Sequence, residues 1–139
     1  MKKILLFCVF NFLILSCKQD KPIVKEYKST MNHVLEVHDE VMPEMSEINN
    51  LITKLQEKID AGENSEKYPE ALKNLKGAHA FMMEWMRDFA EKFPNALEEP
   101  TFSEEKFERK LNILKSEEKE VIEMKKRVES SIKEAKKLL

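Results

Sequence analysis

The chain has 139 residues, 36% of them charged, with 24 basic side chains against 26 acidic ones and only two glycines. Glu, Lys and Leu dominate in the manner of long helices, so a β architecture is not expected. Charges of both signs are interleaved without a basic face, which argues against a nucleic-acid partner.

The N-terminus carries an address. Lys2 and Lys3 precede an apolar core from Ile4 to Leu15, and Leu13-Ile14-Leu15-Ser16-Cys17 forms a lipobox-like cleavage site. The apolar run is short for a bilayer span and is followed by Lys18-Gln19-Asp20-Lys21, so a processed signal fits better than a transmembrane anchor. The sequence therefore predicts a lipoprotein signal over 1–16, lipid on Cys17, a tether over 17–22 and a helical domain over 23–139. Cys8 leaves with the signal, and the mature chain keeps no thiol for a disulfide, a redox pair or a thiolate metal site. By resemblance to bacterial lipoproteins, Lys18 after the cysteine favours outer-membrane attachment. The periplasmic face is the expected location, with the lipid on Cys17 as the membrane contact.

Helix 1 is predicted from about Ile23 to Ala61. Its apolar positions fall on two seven-residue rows, Tyr27, Val34, Val41, Ile48 and Leu55 in one, and Met31, His38, Met45, Ile52 and Ile59 in the other. Pro43 interrupts this seam without changing its register, which predicts a kink. Gly62 suits a left-handed C-cap, and Asn64 or Ser65 the next N-cap. Helix 2 follows from about Pro69 to Phe93, with Leu72, His79, Met86 and Phe93 in one row and Leu75, Met82 and Phe89 in the other.

Thr101 and Glu104 have capping-box spacing before helix 3, which runs from about Ser103 to Leu138. Its seam passes through Phe107, Leu111, Leu114, Val121, Val128, Ile132 and Ala135, with Glu118 and Lys125 as polar interruptions. Short connections make consecutive helices antiparallel. The predicted fold is all-α, an up-down-up antiparallel three-helix bundle with coiled-coil-like heptads and helix 1 kinked at Pro43.

Two similar stretches come closest to chemistry, His38-Asp-Glu-Val-Met42-Pro-Glu-Met45 and His79-Ala-Phe-Met82-Met83-Glu-Trp-Met86. Imidazole and thioether at helical spacing suit copper, and a facing His and Met could ligate haem. The bland alternative is adaptable core methionine with two satisfied histidines. Antiparallel levels place Met45 beside Trp85 and Met86 but separate His38 from His79 by roughly 20 Å along the axis, which favours the core reading and no cofactor. The matching levels of helices 2 and 3 put His79 opposite Glu118, predicting a structural polar pair.

Other patterns lead to less. Asp39 and Glu40 are expected to point away from His38, and His33 to lie solvated off the seam. Glu36, Glu40, Glu44 and Glu47 read as an acidic outer face. With no nucleophile or phosphate loop evident, the domain is not expected to be an enzyme. Overhanging ends of helices 1 and 3 should leave Val24, Tyr27, Met31 and Ile132 uncovered for an envelope protein partner or self-association.

The lipobox, the His38–Met45 stretch and Met82-Met-Glu-Trp-Met-Arg-Asp-Phe89 together resemble a group of small Bacteroidota lipoproteins often labelled viral A-type inclusion proteins. The resemblance covers most of the mature chain. It implies no particular activity and nothing viral.

Overall fold

The computed structural model describes residues 21–63 and 65–139. The signal over 1–16, the lipid on Cys17 and the tether before Lys21 lie outside the described residues. Among those described there are helices and no strands, namely α1 Pro22–Val41, α2 Glu44–Asp60, α3 Lys67–Lys92 and α4 Glu104–Lys136. The long helix α4 packs against all three others, and α2 also packs on α3. No described helix is long and apolar enough to cross a membrane.

Helix α1 opens with Pro22 in its first turn, where the missing backbone donor costs nothing. The interruption predicted at Pro43 separates α1 from α2. Met42 and Pro43 nevertheless keep right-handed helical dihedrals, and the next bonds tighten, from Met45 N to Met42 O at 3.2 Å and from Ser46 N to Pro43 O at 3.3 Å. The chain does not fold back there, because α1 and α2 share no packed face while both pack on α4.

Gly62 ends α2 at φ +78°. Gly62 N bonds Ile59 O and Glu63 N bonds Lys58 O, each at 3.0 Å, the paired bonds of a Schellman turn. Helix α3 starts two residues before Pro69, which lies in its first turn; Glu66 at its N-cap makes no side-chain bond, while Ser65, one of the two expected caps, accepts a 3.4 Å hydrogen bond from Lys67 N through its Oγ. The capping box expected at Thr101 and Glu104 does not form. Ser103 stands at the N-cap without a side-chain bond, and Glu104 instead pairs with Lys21.

Burial reveals a regular displacement. Among the described residues, buried side chains recur seven apart as Tyr27, Val34, Val41, Ile48 and Leu55, as Leu75, Met82 and Phe89, and as Phe107, Leu114, Val121, Val128 and Ala135. The second row keeps Met31, Phe93, Leu111 and Ile132 buried, but between these ends it shifts one residue toward the N-terminus. Thr30, Val37 and Leu51 are buried in α1 and α2, Ala71, Ala78 and Trp85 in α3, and Glu117, Met124 and Ser131 in α4. His38, Met45, His79, Met86, Glu118 and Lys125 consequently sit half-buried at the edge of the core. One residue is a rotation of about 100° on a helix, enough to carry a side chain from the interior to its boundary.

Ion pairs, and a hydrogen bond between His33 and Glu118, tie α1 and α2 to α4 with residue numbers that rise together. They join Lys21 to Glu104, Glu26 to Lys115, His33 to Glu118, Glu40 to Lys125 and Glu47 to Lys136. Between α3 and α4 the numbers run oppositely. Lys92 meets Glu117, Phe81 meets Arg127 and Asn74 meets Glu134. Those partners lie about eleven residues, or roughly 16 Å, further along α4 than a tight turn would place them.

That offset leaves the first turns of α4 and the start of α1 beyond the end of α3, and residues 93–103 cover them. Tyr27, Phe102 and Phe107 form a cluster with ring centroids 5.3–5.9 Å apart in edge-to-face contacts. Tyr27, Met31 and Ile132 are buried and Val24 is half-buried. The expectation that these four stand uncovered is therefore corrected: the connection between α3 and α4 caps the Tyr27 end instead of forming a simple turn, and Ile132 is buried within the body of the bundle.

Candidate functional site

The histidine and methionine stretches occupy several environments. Met82 is fully buried in the core, Met45 and Met86 pack half-buried against it, and Met42 and Met83 are 41% and 49% exposed. Adjacent Met82 and Met83 diverge because consecutive helical side chains are separated by about 100°. The seven candidate donors are thus not all turned to one face.

An aromatic ladder lies along this part of α3. Trp85 stacks on Phe89 with centroids 5.0 Å apart, and Phe89 meets Phe93 at 5.1 Å. His38 joins the other side of Trp85 at 5.8 Å. The antiparallel levels that place Met45 beside Trp85 and Met86 would put His38 level with about Lys92, so this contact lies about seven residues along α3 from there.

His38 also corrects a second expectation, since its Nδ1 is 2.9 Å from Oδ1 of Asp39 instead of facing away from it. At the core boundary a neighbouring side chain can bend across the surface, and Asp39 remains largely solvated. Comparison with family models, with curated proteins and with solved structures finds no match. The site must therefore be judged from its own geometry.

The predicted pair of His79 with Glu118 is replaced by another. Glu118 Oε1 lies 2.7 Å from Nδ1 of His33 on α1, the histidine expected to be merely solvated. His79 is half-buried on α3, one position beyond buried Ala78. Two causes combine: the longer reach of α4 past α3 changes the level, and the inward position is Glu117 instead of Glu118.

Glu117 is the polar residue that the seam concealed. It is 1% exposed, and its Oε1 accepts a 2.7 Å hydrogen bond from Nζ of Lys92 at the end of α3. Its Oε2 and the indole Nε1 of Trp85 are buried without partners among the described residues. The hydrogen bond to Glu117 holds the Lys92 ammonium above its ordinary pKa, with burial opposing and the negative charge assisting. Lys110 completes the junction by donating to the Lys92 carbonyl at 2.6 Å, where the terminal carbonyls of α3 need donors.

The KSEEKE run at 115–120 contains the signal for this pair, but the seam points to Glu118, the later of its two adjacent glutamates, whereas Glu117 is the one that turns inward. Chemically, the arrangement fixes helix register and can hold a charge. Among the described residues no group of three or more His, Cys, Asp and Glu side chains is placed to hold a metal ion.

Proposed function

We propose that the chain is a bacterial outer-membrane lipoprotein facing the periplasm, with a non-enzymatic helical bundle that acts as a spacer or protein-interaction module. The observation that carries this reading is the Leu13–Cys17 lipobox standing four residues before Lys21, where the described bundle begins. Over four residues an extended tether reaches roughly 14 Å, which would hold the start of α1 close to the membrane.

The body is read as an up-down-up, coiled-coil-like bundle. Rising numbers in the pairs between α1 and α4, opposed numbers between α3 and α4, and seven-residue burial rows all support that topology. The polar groups that come together at its boundaries, such as Lys92 with Glu117, are employed in helix-to-helix contacts. Such a role needs a stable surface and an anchor more than a reactive group.

Mass spectrometry of the full chain expressed in a bacterial host tests the anchor. A mature N-terminus at Cys17 with added acyl mass is expected, and Cys17→Ser should leave the precursor unprocessed. An unmodified Cys17 in the mature protein would sink the lipoprotein reading. In cells, a photo-crosslinker replacing solvent-exposed Leu97 should give a discrete protein adduct if the bundle is an interaction module; its absence favours the spacer.

A further inference from the structure

The cap over the end of α3 forms a partly open cavity of about 320 Å³. Its walls include the rings of Tyr27, Phe93 and Phe102, and its rim carries Lys92, Lys106 and Lys110. This volume is within the range of small-molecule sites, which combine an apolar body with a few placed polar groups.

The three lysines differ in their engagements. Lys92 is neutralised by Glu117 at 2.7 Å. Lys110 donates to the Lys92 carbonyl and lies 5.0 Å from the Phe93 ring centre, whereas Lys106 lies 4.8 Å from that of Phe102. Neither Lys106 nor Lys110 has a carboxylate partner among the described residues. They are four residues apart on α4, so both ammonium groups address the same side of the helix.

Glu98 and Glu99 also line the cavity: Glu99 is paired with Lys28 at 2.7 Å, and Glu98 accepts a 2.8 Å hydrogen bond from the Asn95 amide and keeps its charge, one carboxylate against the two ammonium groups of Lys106 and Lys110. Tyr27 also lines the cavity, and its hydroxyl makes no hydrogen bond among the described residues. Burial raises the pKa of that hydroxyl and keeps it protonated. Terminating α3 requires only Lys110, so the cap leaves the Lys106 ammonium with the Phe102 ring as its one partner among the described residues.

We infer that this cavity binds a small organic anion with a planar apolar body, such as an aromatic carboxylate or sulfonate. The rings of Tyr27, Phe93 and Phe102 would take the apolar body, and Lys106, Lys110 and the Tyr27 hydroxyl would take the anionic group. The site is independent of how the N-terminus is processed.

Calorimetric titration of the full chain in phospholipid nanodiscs tests it, using naphthalene-2-sulfonate as probe and subtracting empty nanodiscs. One saturable site per chain is expected, with neutral 2-naphthalenemethanol binding about tenfold more weakly because it lacks the charge-assisted bonds. Lys106→Gln changes an exposed side chain and should weaken the sulfonate about tenfold while leaving the melting temperature unchanged. Tyr27→Phe should weaken it by a smaller factor. Absence of saturable uptake, equal binding of the neutral analogue, or full affinity in Lys106→Gln would each overturn the inference.

Discussion

Lys92 donates a 2.7 Å hydrogen bond to Glu117, but the two partners are buried unequally: the carboxylate side chain is 2% exposed and the lysine side chain 41%. Removing either group should therefore have different consequences. Lys92→Met strands a buried carboxylate and is expected to cost about 2–4 kcal/mol, whereas Glu117→Met lets the lysine turn to water and should cost under about 1 kcal/mol. Urea denaturation at neutral pH measures both. Equal losses would show that the burial difference does not govern the pair.

The same bond sets a pH dependence. The folded-state pKa of Lys92 is raised chiefly by its hydrogen bond to Glu117. Its stabilising contribution is fully present below the ordinary lysine pKa of 10.5 and is lost as pH rises through the higher folded value. Thermal melting between pH 9 and about 12 should show a steeper alkaline decline in the wild type than in Glu117→Gln. Parallel declines would remove Lys92 from the explanation.

Part of this fold was legible because one row in each helix is apolar along its length: Val34, Val41 and Ile48 allow no rival orientation. The companion row was ambiguous because apolar residues stand beside polar or sulfur-containing ones, as in Val37 and His38, Ala78 and His79, Trp85 and Met86, or Met124 and Lys125. Which neighbour turns inward depends on the side from which the third helix approaches. Choosing the later residue in each pair brought His38, His79 and Glu118 too far into the core and left Glu117 outside it. The cap escaped detection for a different reason. Residues 93–103 have the proline-rich character of a connection, and only the three-dimensional offset of α3 from α4 shows that they cover Tyr27.

Met82 and Met83 provide a direct test of core against surface. Met82→Ala removes a fully buried side chain and should cost about 2–5 kcal/mol, while Met83→Ala, at a half-exposed position, should change stability by no more than about 0.5 kcal/mol. Chemical denaturation followed through Trp85, the only tryptophan, would resolve the difference. Similar effects for both variants would contradict the orientation of α3.

The two glycines should respond with opposite sign. Gly62 has φ +78° at the end of α2, so Gly62→Ala is expected to destabilise by about 1 kcal/mol despite having open space for the added methyl. Gly77 lies inside α3 with nothing within 4 Å of an added Cβ, and Gly77→Ala should stabilise by roughly 0.5–1 kcal/mol. Melting temperatures that move in the same direction would contradict this assignment of backbone conformations.

The pair joining Glu40 to Lys125 makes register testable where the seam of α4 carries a lysine. Lys125 also has Glu129 within 4.0 Å, and its pKa is raised first by the hydrogen bond to Glu40. Exposed pairs contribute little individually, so Glu40→Gln should change stability by less than about 0.5 kcal/mol. Lys125→Glu instead places like charges together, and a loss of roughly 1 kcal/mol is expected at low salt. Adding Glu40→Lys should recover part of that loss only if positions 40 and 125 face each other across α1 and α4. A double-mutant cycle in 10 mM and 500 mM salt measures this coupling: it should be favourable at low salt and shrink as the ions are screened. Zero coupling at both salt concentrations would remove the pair as a determinant of the alignment of α1 with α4.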